Sequence, residues 1–234
     1  MAAGLGYYVV HLPDAVRAKA FYHTVLGWHA EPGDDPERYY HIEGSSPAGG
    51  IGGGAETPHI AAYYLVDDAK ATVAAIRELG GQAADPGQSA SGWSAECTDD
   101  QGGEFSIWQP DRSYAPDGPP RCGVGDLFYS VLPVADDERA QRFYGALFGW
   151  ELSTGSHPHG WNIVNVEPAA GLFGGGTSGQ IMVYFRVDDI EAAVAKVRAA
   201  GGTSGPVEPN SAGWHADCRD DQGVKFSLSS LRDS

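Results

Sequence analysis

The stretch Ala212-Gly213-Trp214-His215-Ala216-Asp217-Cys218-Arg219-Asp220-Asp221-Gln222-Gly223-Val224-Lys225-Phe226-Ser227 is a second copy of an earlier one. The first copy is Ser91-Gly92-Trp93-Ser94-Ala95-Glu96-Cys97-Thr98-Asp99-Asp100-Gln101-Gly102-Gly103-Glu104-Phe105-Ser106, aligned without a gap from Gly92 to Ser106. Each copy reads as a strand, a tight Asp-Asp-Gln-Gly turn and a returning strand. Chance can repeat four turn residues, but not a gapless match in Gly, Trp, Ala, Cys, Asp, Asp, Gln, Gly, Phe and Ser. The chain is therefore an internal duplication, and its halves must be read against each other.

Working outward, 234 residues divide into two domains large enough for a core each. The expected boundaries are 1–109 and 124–234, joined by a linker over 110–123 that is proline-rich and aperiodic. The net charge of −16 repels phosphate backbones and anionic lipid, which argues against nucleic-acid and membrane partners. No apolar run reaches membrane length, and Met1–Val10 lacks a basic start and a cleavage site, so a cytoplasmic protein is expected, monomeric or homodimeric. Three cysteines without a Cys-x-x-Cys pair argue against a zinc knuckle or a redox dithiol. Cys97 and Cys218 read as small buried thiols.

Tyr7–Leu12 reads as a strand, and Asp14 caps a helix running through Leu26, with Val16, Ala20, Phe21 and Val25 as its apolar stripe. Three short strands follow to Gly54. The glycine run Gly49–Gly54 opens no helix, which rejects a phosphate loop. The pattern then restarts at Ile60 with a strand, a helix from Asp67-Asp68 to Gly80-Gly81, and three strands to Trp108. The second half repeats the plan: Tyr129–Val134, a helix capped by Asp136 with Phe143, Leu147 and Phe148, and so on. The expected fold is α+β, four βαβββ modules in tandem.

The motifs Phe21-Tyr22 with Gly27-Trp28, Phe143-Tyr144 with Gly149-Trp150, Val-Asp-Asp before each half's second helix, and Asp-x-x-Gly before each half's last strand resemble the vicinal oxygen chelate superfamily. That group holds glyoxalase I, bleomycin-binding proteins, fosfomycin-resistance enzymes and extradiol dioxygenases, and the likeness is strongest to its tandem two-domain actinobacterial members. The resemblance covers nearly the whole chain and implies two glyoxalase-like domains with curved mixed sheets. It also implies metal positions: a His on the first strand, a His on the fifth and a Glu on the eighth. Alignment places these at Tyr7, Ala61 and Ser106, and at Tyr129, Met182 and Ser227. Neither set supplies two imidazoles and a carboxylate, so no metal or other cofactor is expected. His157 and His159 read as solvated loop residues.

Strand alternation sorts the remaining side chains. Tyr7, Val9 and His11, Ala61, Tyr63 and Leu65, Ser106 and Trp108 face inward in the first half, as do Tyr39, His41 and Glu43. Tyr129 and Val131, Met182, Tyr184 and Arg186, Ser227 and Ser229 do so in the second, with Trp161, Ile163 and Asn165. Trp93 and Trp214 share parity with the cysteines and read as core. The candidate ligand-binding residues are thus Tyr7, His11, His41, Tyr63, Ser106, Trp108, Tyr129, Trp161, Met182, Tyr184, Arg186 and Ser227. An aromatic trough with scattered hydroxyls suits a planar, partly polar molecule. His215 and Asp217 alternate onto one face and are candidate acid/base groups.

Three functions remain open from this reading. The first is metal-independent binding of an aromatic or polycyclic natural product, as in drug sequestration and self-resistance. The second is a metal-independent cyclase, isomerase or lyase of aromatic natural-product biosynthesis. The third is a structural or signalling module with no ligand.

Overall fold

Four aspartates start the four helices in the computed structural model, which describes residues 2–116, 118–176, 179–210 and 212–232. Asp14 accepts from the Arg17 backbone N–H at 3.0 Å, Asp68 from Ala71 at 3.0 Å, Asp136 from Arg139 at 2.9 Å and Asp189 from Ala192 at 2.9 Å. Each satisfies a donor that the first helical turn leaves unpaired. Gly27 and Gly149, with φ of 74° and 68°, end two of these helices in the left-handed region that side chains resist.

In the first half, β1 (Leu5–Leu12), α1 (Ala15–Leu26), β2 (Ala30–Pro32), β3 (Tyr39–Ile42) and β4 (Ala48–Gly53) form one module. The next contains β5 (His59–Leu65), α2 (Ala69–Glu78), β6 (Gln82–Ala83), β7 (Gly87–Ser89), β8 (Gly92–Thr98) and β9 (Glu104–Pro110). The second half repeats this order. Its first module is β10 (Leu127–Pro133), α3 (Asp137–Phe148), β11 (Leu152–Thr154), β12 (Gly160–Ile163) and β13 (Ala169–Phe173). Its second is β14 (Met182–Arg186), α4 (Ile190–Ala199), β15 (Thr203–Ser204), β16 (Glu208–Pro209), β17 (Gly213–Arg219) and β18 (Lys225–Leu231). The strand order is β2-β3-β4-β1-β5-β9-β8-β6 with β7 on β8, and β11-β12-β13-β10-β14-β18-β17-β15 with β16 on β17. β5–β9 and β14–β18 run parallel while the β8–β9 and β17–β18 hairpins run antiparallel, so each sheet is mixed. The α+β fold of four βαβββ modules is as the sequence implies.

Compactness groups the modules differently from sequence order. One unit combines Met1–Tyr7, Ala61–Pro120 and Ser130–Ile181; the other combines Tyr8–Ile60, Arg121–Tyr129 and Met182–Ser234. The repeated motifs explain why. In the second of these units the Asp-Asp-Gln-Gly turn grips the start of α1: Gln222 bonds the Asp14 backbone through both amide atoms, at 2.8 and 2.9 Å, and Asp221 pairs with Arg17. Buried Asp220 accepts from the Gln222 and Val224 backbone N–H groups and from the Tyr22 hydroxyl at 3.1 Å. Tyr22 stacks on Trp28 at 4.8 Å, and the Trp28 indole donates to Gly125 O at 2.9 Å.

The other unit holds the same device around α3. Gln101 bonds both backbone groups of Asp136, Arg139 pairs with Asp100 at 2.9 Å, and Tyr144 donates to Asp99 at 3.0 Å. Tyr144 stacks on Trp150 at 4.8 Å, and the Trp150 indole donates to Ala3 O at 2.8 Å. Gly102 and Gly223 close the turns at φ of 82° and 104°, which explains the invariant fourth residue of the two copies.

The helix stripes need one correction. Val16 is 58% exposed and Ala20 is also exposed; α1 instead buries Ala15, Ala18, Phe21, Tyr22, Val25 and Leu26. The Phe-Tyr pair sets the phase, because Tyr22 must reach Asp220. α3 likewise buries Tyr144, while Leu147 is half-buried.

Replacing Tyr22 or Tyr144 by Phe removes one bond to a buried carboxylate and leaves the ring stack in place. Each variant is expected to lose about 1–3 kcal/mol in urea unfolding without a change in m value. Unaltered stability in both would show that the turn–helix bond is dispensable.

Candidate ligand-binding site

Along β14, Val183 and Phe185 are buried, while Met182 (41% exposed), Tyr184 and Arg186 occupy the opposite face. Registers with β18 and β17 carry that face across three strands as two rows. Tyr184 aligns with Ser227 and Ser227 with Asp217; Arg186 aligns with Ser229 and Ser229 with His215. In the first row Ser227 Oγ donates to Asp217 at 2.7 Å. Burial, with the Asp217 charge behind it, pushes the Tyr184 phenol up and keeps it protonated. Tyr129, its phenol also raised by burial, lies 5.5 Å from Tyr184 between ring centroids, and His215 lies 6.4 Å from Tyr184.

The second row is incompletely satisfied. Ser229 is fully buried and donates to Trp214 O at 3.0 Å. Arg186 donates through one terminal nitrogen to Cys122 O and has the exposed Asp188 at 3.8 Å, but among the described residues its Nε has no hydrogen-bond partner. His215 Nδ1 has none either. His215 and Asp217 therefore share a strand face without forming a hydrogen-bonded dyad through Nδ1; Asp217 is engaged by Ser227 instead.

In the first half the same registers give Tyr63–Ser106–Glu96 and Leu65–Trp108–Ser94. The hydroxyl–hydroxyl–carboxylate row is kept, and the Tyr63 phenol is raised by burial and by Glu96. The second row is replaced by bulk. Trp108 is 8% exposed and donates to Ser91 O at 3.2 Å. Tyr7 packs edge-on against Trp108 at 5.7 Å and Tyr63 at 6.2 Å. Leu65 lies so close to Gly6 that a Cβ there would come within 2.2 Å of it.

These arrangements do not fit the metal that the fold family implies. Ser227 donates its proton to Asp217, Tyr129 is held as a neutral phenol, and Met182 has replaced an imidazole. Among the described residues, no group of three or more His, Cys, Asp or Glu side chains could hold an ion.

His11 has an unforeseen companion. His59 shares the parity of Ala61, Tyr63 and Leu65, and its ring stacks on His11 at 4.9 Å. His41 lies 5.1 Å from Tyr39. Trp161 corrects the expected face of β12: its indole donates to Asp137, in the first turn of α3, at 2.7 Å. The loop before β12 is one residue shorter than the loop before β3, so Trp161 corresponds to buried Tyr40, not to Tyr39. Ile163 follows it into the core, and Asn165 caps loop groups at Glu151 and Gly149. His159 also bonds Asp137, at 3.2 Å, and both contacts hold that carboxyl below its usual range, the Trp161 bond foremost.

Trp214 is likewise not core. It is 46% exposed beside Pro209, while Trp93 is half-buried under the Lys70 ammonium at 4.7 Å. Parity places both on the helix side, but at the strand ends. Cys97 and Cys218 are buried, and burial pushes their thiols up to about 12.

The family model described as the glyoxalase-like domain matches residues 7–108 and again 130–229. The chain belongs to this family, within the vicinal oxygen chelate superfamily, as two tandem copies. It is 30% identical over 177 residues to the candidate glyoxylase CFP32 of Mycobacterium tuberculosis and of Mycobacterium bovis, spanning 71% of this chain and 67% of theirs. Its fold is similar to the Mn(II)-bound glyoxalase from Novosphingobium aromaticivorans, with a TM-score of 0.71, 16% identity and coverage of 99% and 83%. It is also similar to 2,2',3-trihydroxybiphenyl 1,2-dioxygenase from Sphingomonas wittichii, with a TM-score of 0.68, 14% identity and coverage of 98% and 91%. No helix is long and apolar enough to cross a membrane among the described residues.

Burial, helped by His59, lowers the His11 pKa to about 4, against about 6.5 in an unfolded chain. The unfolded state binds this proton first, so the stabilising contribution is complete above about pH 6.5 and is lost as pH falls towards about 4. Replacing His11 by Asn should flatten the stability–pH curve in that window. Parallel curves for variant and parent would contradict this.

Proposed function

We propose that this protein binds a planar aromatic natural product without a metal ion, on the face that carries Tyr129 and Tyr184, and sequesters it. The observation that carries this reading is the fate of the expected ligand positions in the second half. With Tyr184 beside them, Tyr129, Met182 and Ser227 form a surface of two neutral phenols, a thioether and a hydroxyl already committed to Asp217. Such a surface provides contact area and orientation. The first-half counterpart is filled by Trp108, so the working face belongs to the second half.

The alternative is an enzyme acting on the same class of molecule. The Tyr184–Ser227–Asp217 row favours it, since a phenol in register with a serine-bound carboxylate can help organise acid/base chemistry on a bound ring. On that reading His215 is the group whose loss stops turnover.

The test uses 2-naphthol as a neutral planar probe, followed by calorimetry. Replacing Tyr184 by Ala should weaken binding about 5- to 150-fold, and a chelator should leave the affinity unchanged. Mass spectrometry of recovered aromatic ligands separates the two readings. An unchanged ligand supports sequestration, whereas a product lost with His215→Gln supports the enzyme. Affinity abolished by a chelator and restored by Mn²⁺ would overturn both.

A further inference from the structure

We infer that the second-half face selects an aromatic acid, with its carboxylate on the Arg186–Ser229–His215 row and a hydroxyl group on the Tyr184–Ser227–Asp217 row. The inference rests on the aromatic-binding reading above and adds the ligand's polar ends.

The two rows have opposite hydrogen-bonding character. In the first, the Ser227 proton is committed to Asp217. Ser227 Oγ therefore keeps its lone pairs for a ligand, and the Asp217 carboxylate adds negative charge beside it. This row accepts a donor, such as a hydroxyl, and repels an anion.

The second row has a guanidinium at one end, with Nε lacking a partner, and an imidazole at the other, with Nδ1 lacking one. A buried donor without a partner costs free energy that an incoming acceptor returns. A carboxylate meets the need of Arg186 best, since guanidinium–carboxylate bonds are charge-assisted and geometrically matched. Asp188 leaves this cation incompletely neutralised, being 75% exposed and 3.8 Å away.

Ser229 makes the arrangement possible. It is small, and its own proton goes to Trp214 O, so it neither fills the row nor competes as a donor. At the same register position the first half has Trp108, flanked by Leu65 and Ser94 instead of Arg186 and His215. The polar second row is thus specific to one half. In a chain of net charge −16, a cation facing an aromatic surface is a selective feature.

The rows lie two residues apart along each strand, or about 7 Å, and that sets the ligand's spacing. A rigid ring system with a hydroxyl at one end and a carboxylate at the other spans them. The acid then sits on the row away from Asp217.

The experiment measures binding of 6-hydroxy-2-naphthoate, its methyl ester and 6-methoxy-2-naphthoate to the full chain by calorimetry. The acid should bind at least about tenfold more tightly than the ester, and the methoxy analogue should be weakened. Arg186→Gln should abolish the preference for acid over ester, the acid losing at least about tenfold more affinity than the ester. Arg186→Lys, which keeps the charge but lacks Nε, should lose most of the preference and serves if the Gln variant fails to fold. Ser227→Ala should remove the preference for hydroxyl over methoxyl.

Equal affinity for acid and ester in the parent protein overturns the inference, as does an acid preference that survives Arg186→Gln. If the ester still binds in a Tyr184-dependent way, only the inference falls and the aromatic reading stands. If none of the three probes nor 2-naphthol binds, both fall.

Discussion

The grip of an Asp-Asp-Gln-Gly turn on a helix start is the interaction on which this structure depends. One carboxylate takes two backbone N–H groups and a tyrosine hydroxyl, one pairs with an arginine, and the glutamine amide closes a two-bond ring with the N-cap backbone. The tyrosine is held by a stacked tryptophan whose own N–H is spent on a carbonyl. Six residue types that look like scattered motifs are one contact. Because the device occurs in each compact unit, it also decides which modules share a core.

With the helix side of the sheets fixed in this way, the opposite faces are left to vary. The duplicated halves show how far they have diverged. Both keep a tyrosine, a serine and a carboxylate in one cross-strand row. One half fills the adjacent row with tryptophan and leucine; the other sets arginine, serine and histidine there. The same strand plan thus presents a packed aromatic surface in one place and an unsatisfied polar one in the other. Among the described residues, neither half holds a donor set for the family's metal chemistry.

Much of this was legible in the sequence, because duplication gives an internal control. The offset between Trp93 and Trp214 located the modules, and parity on β5, β14, β9 and β18 placed Tyr63, Tyr184, Ser106 and Ser227 on one face, as found. Parity failed at β12, where a one-residue difference in loop length moved Trp161 and Ile163 to the helix side. A period of two cannot detect such a slip. It also misjudged Trp214, since facing the helices does not ensure being covered by one. The pairing of each turn with a helix far away in the chain leaves no local trace at all. Gln222 and Asp14 are 208 residues apart, and neither carries a periodicity that names the other.

A crystal structure of the protein soaked with 6-hydroxy-2-naphthoate and Mn²⁺ together, collected with anomalous data, tests the central claim most directly. The account requires the bicycle against Tyr129 and Tyr184, its carboxylate at Arg186 and its hydroxyl at Ser227 and Asp217, with no anomalous peak between ligand and protein. A manganese ion chelated by the ligand on that face, or the ligand lodged against Trp108 in the first half, would contradict it.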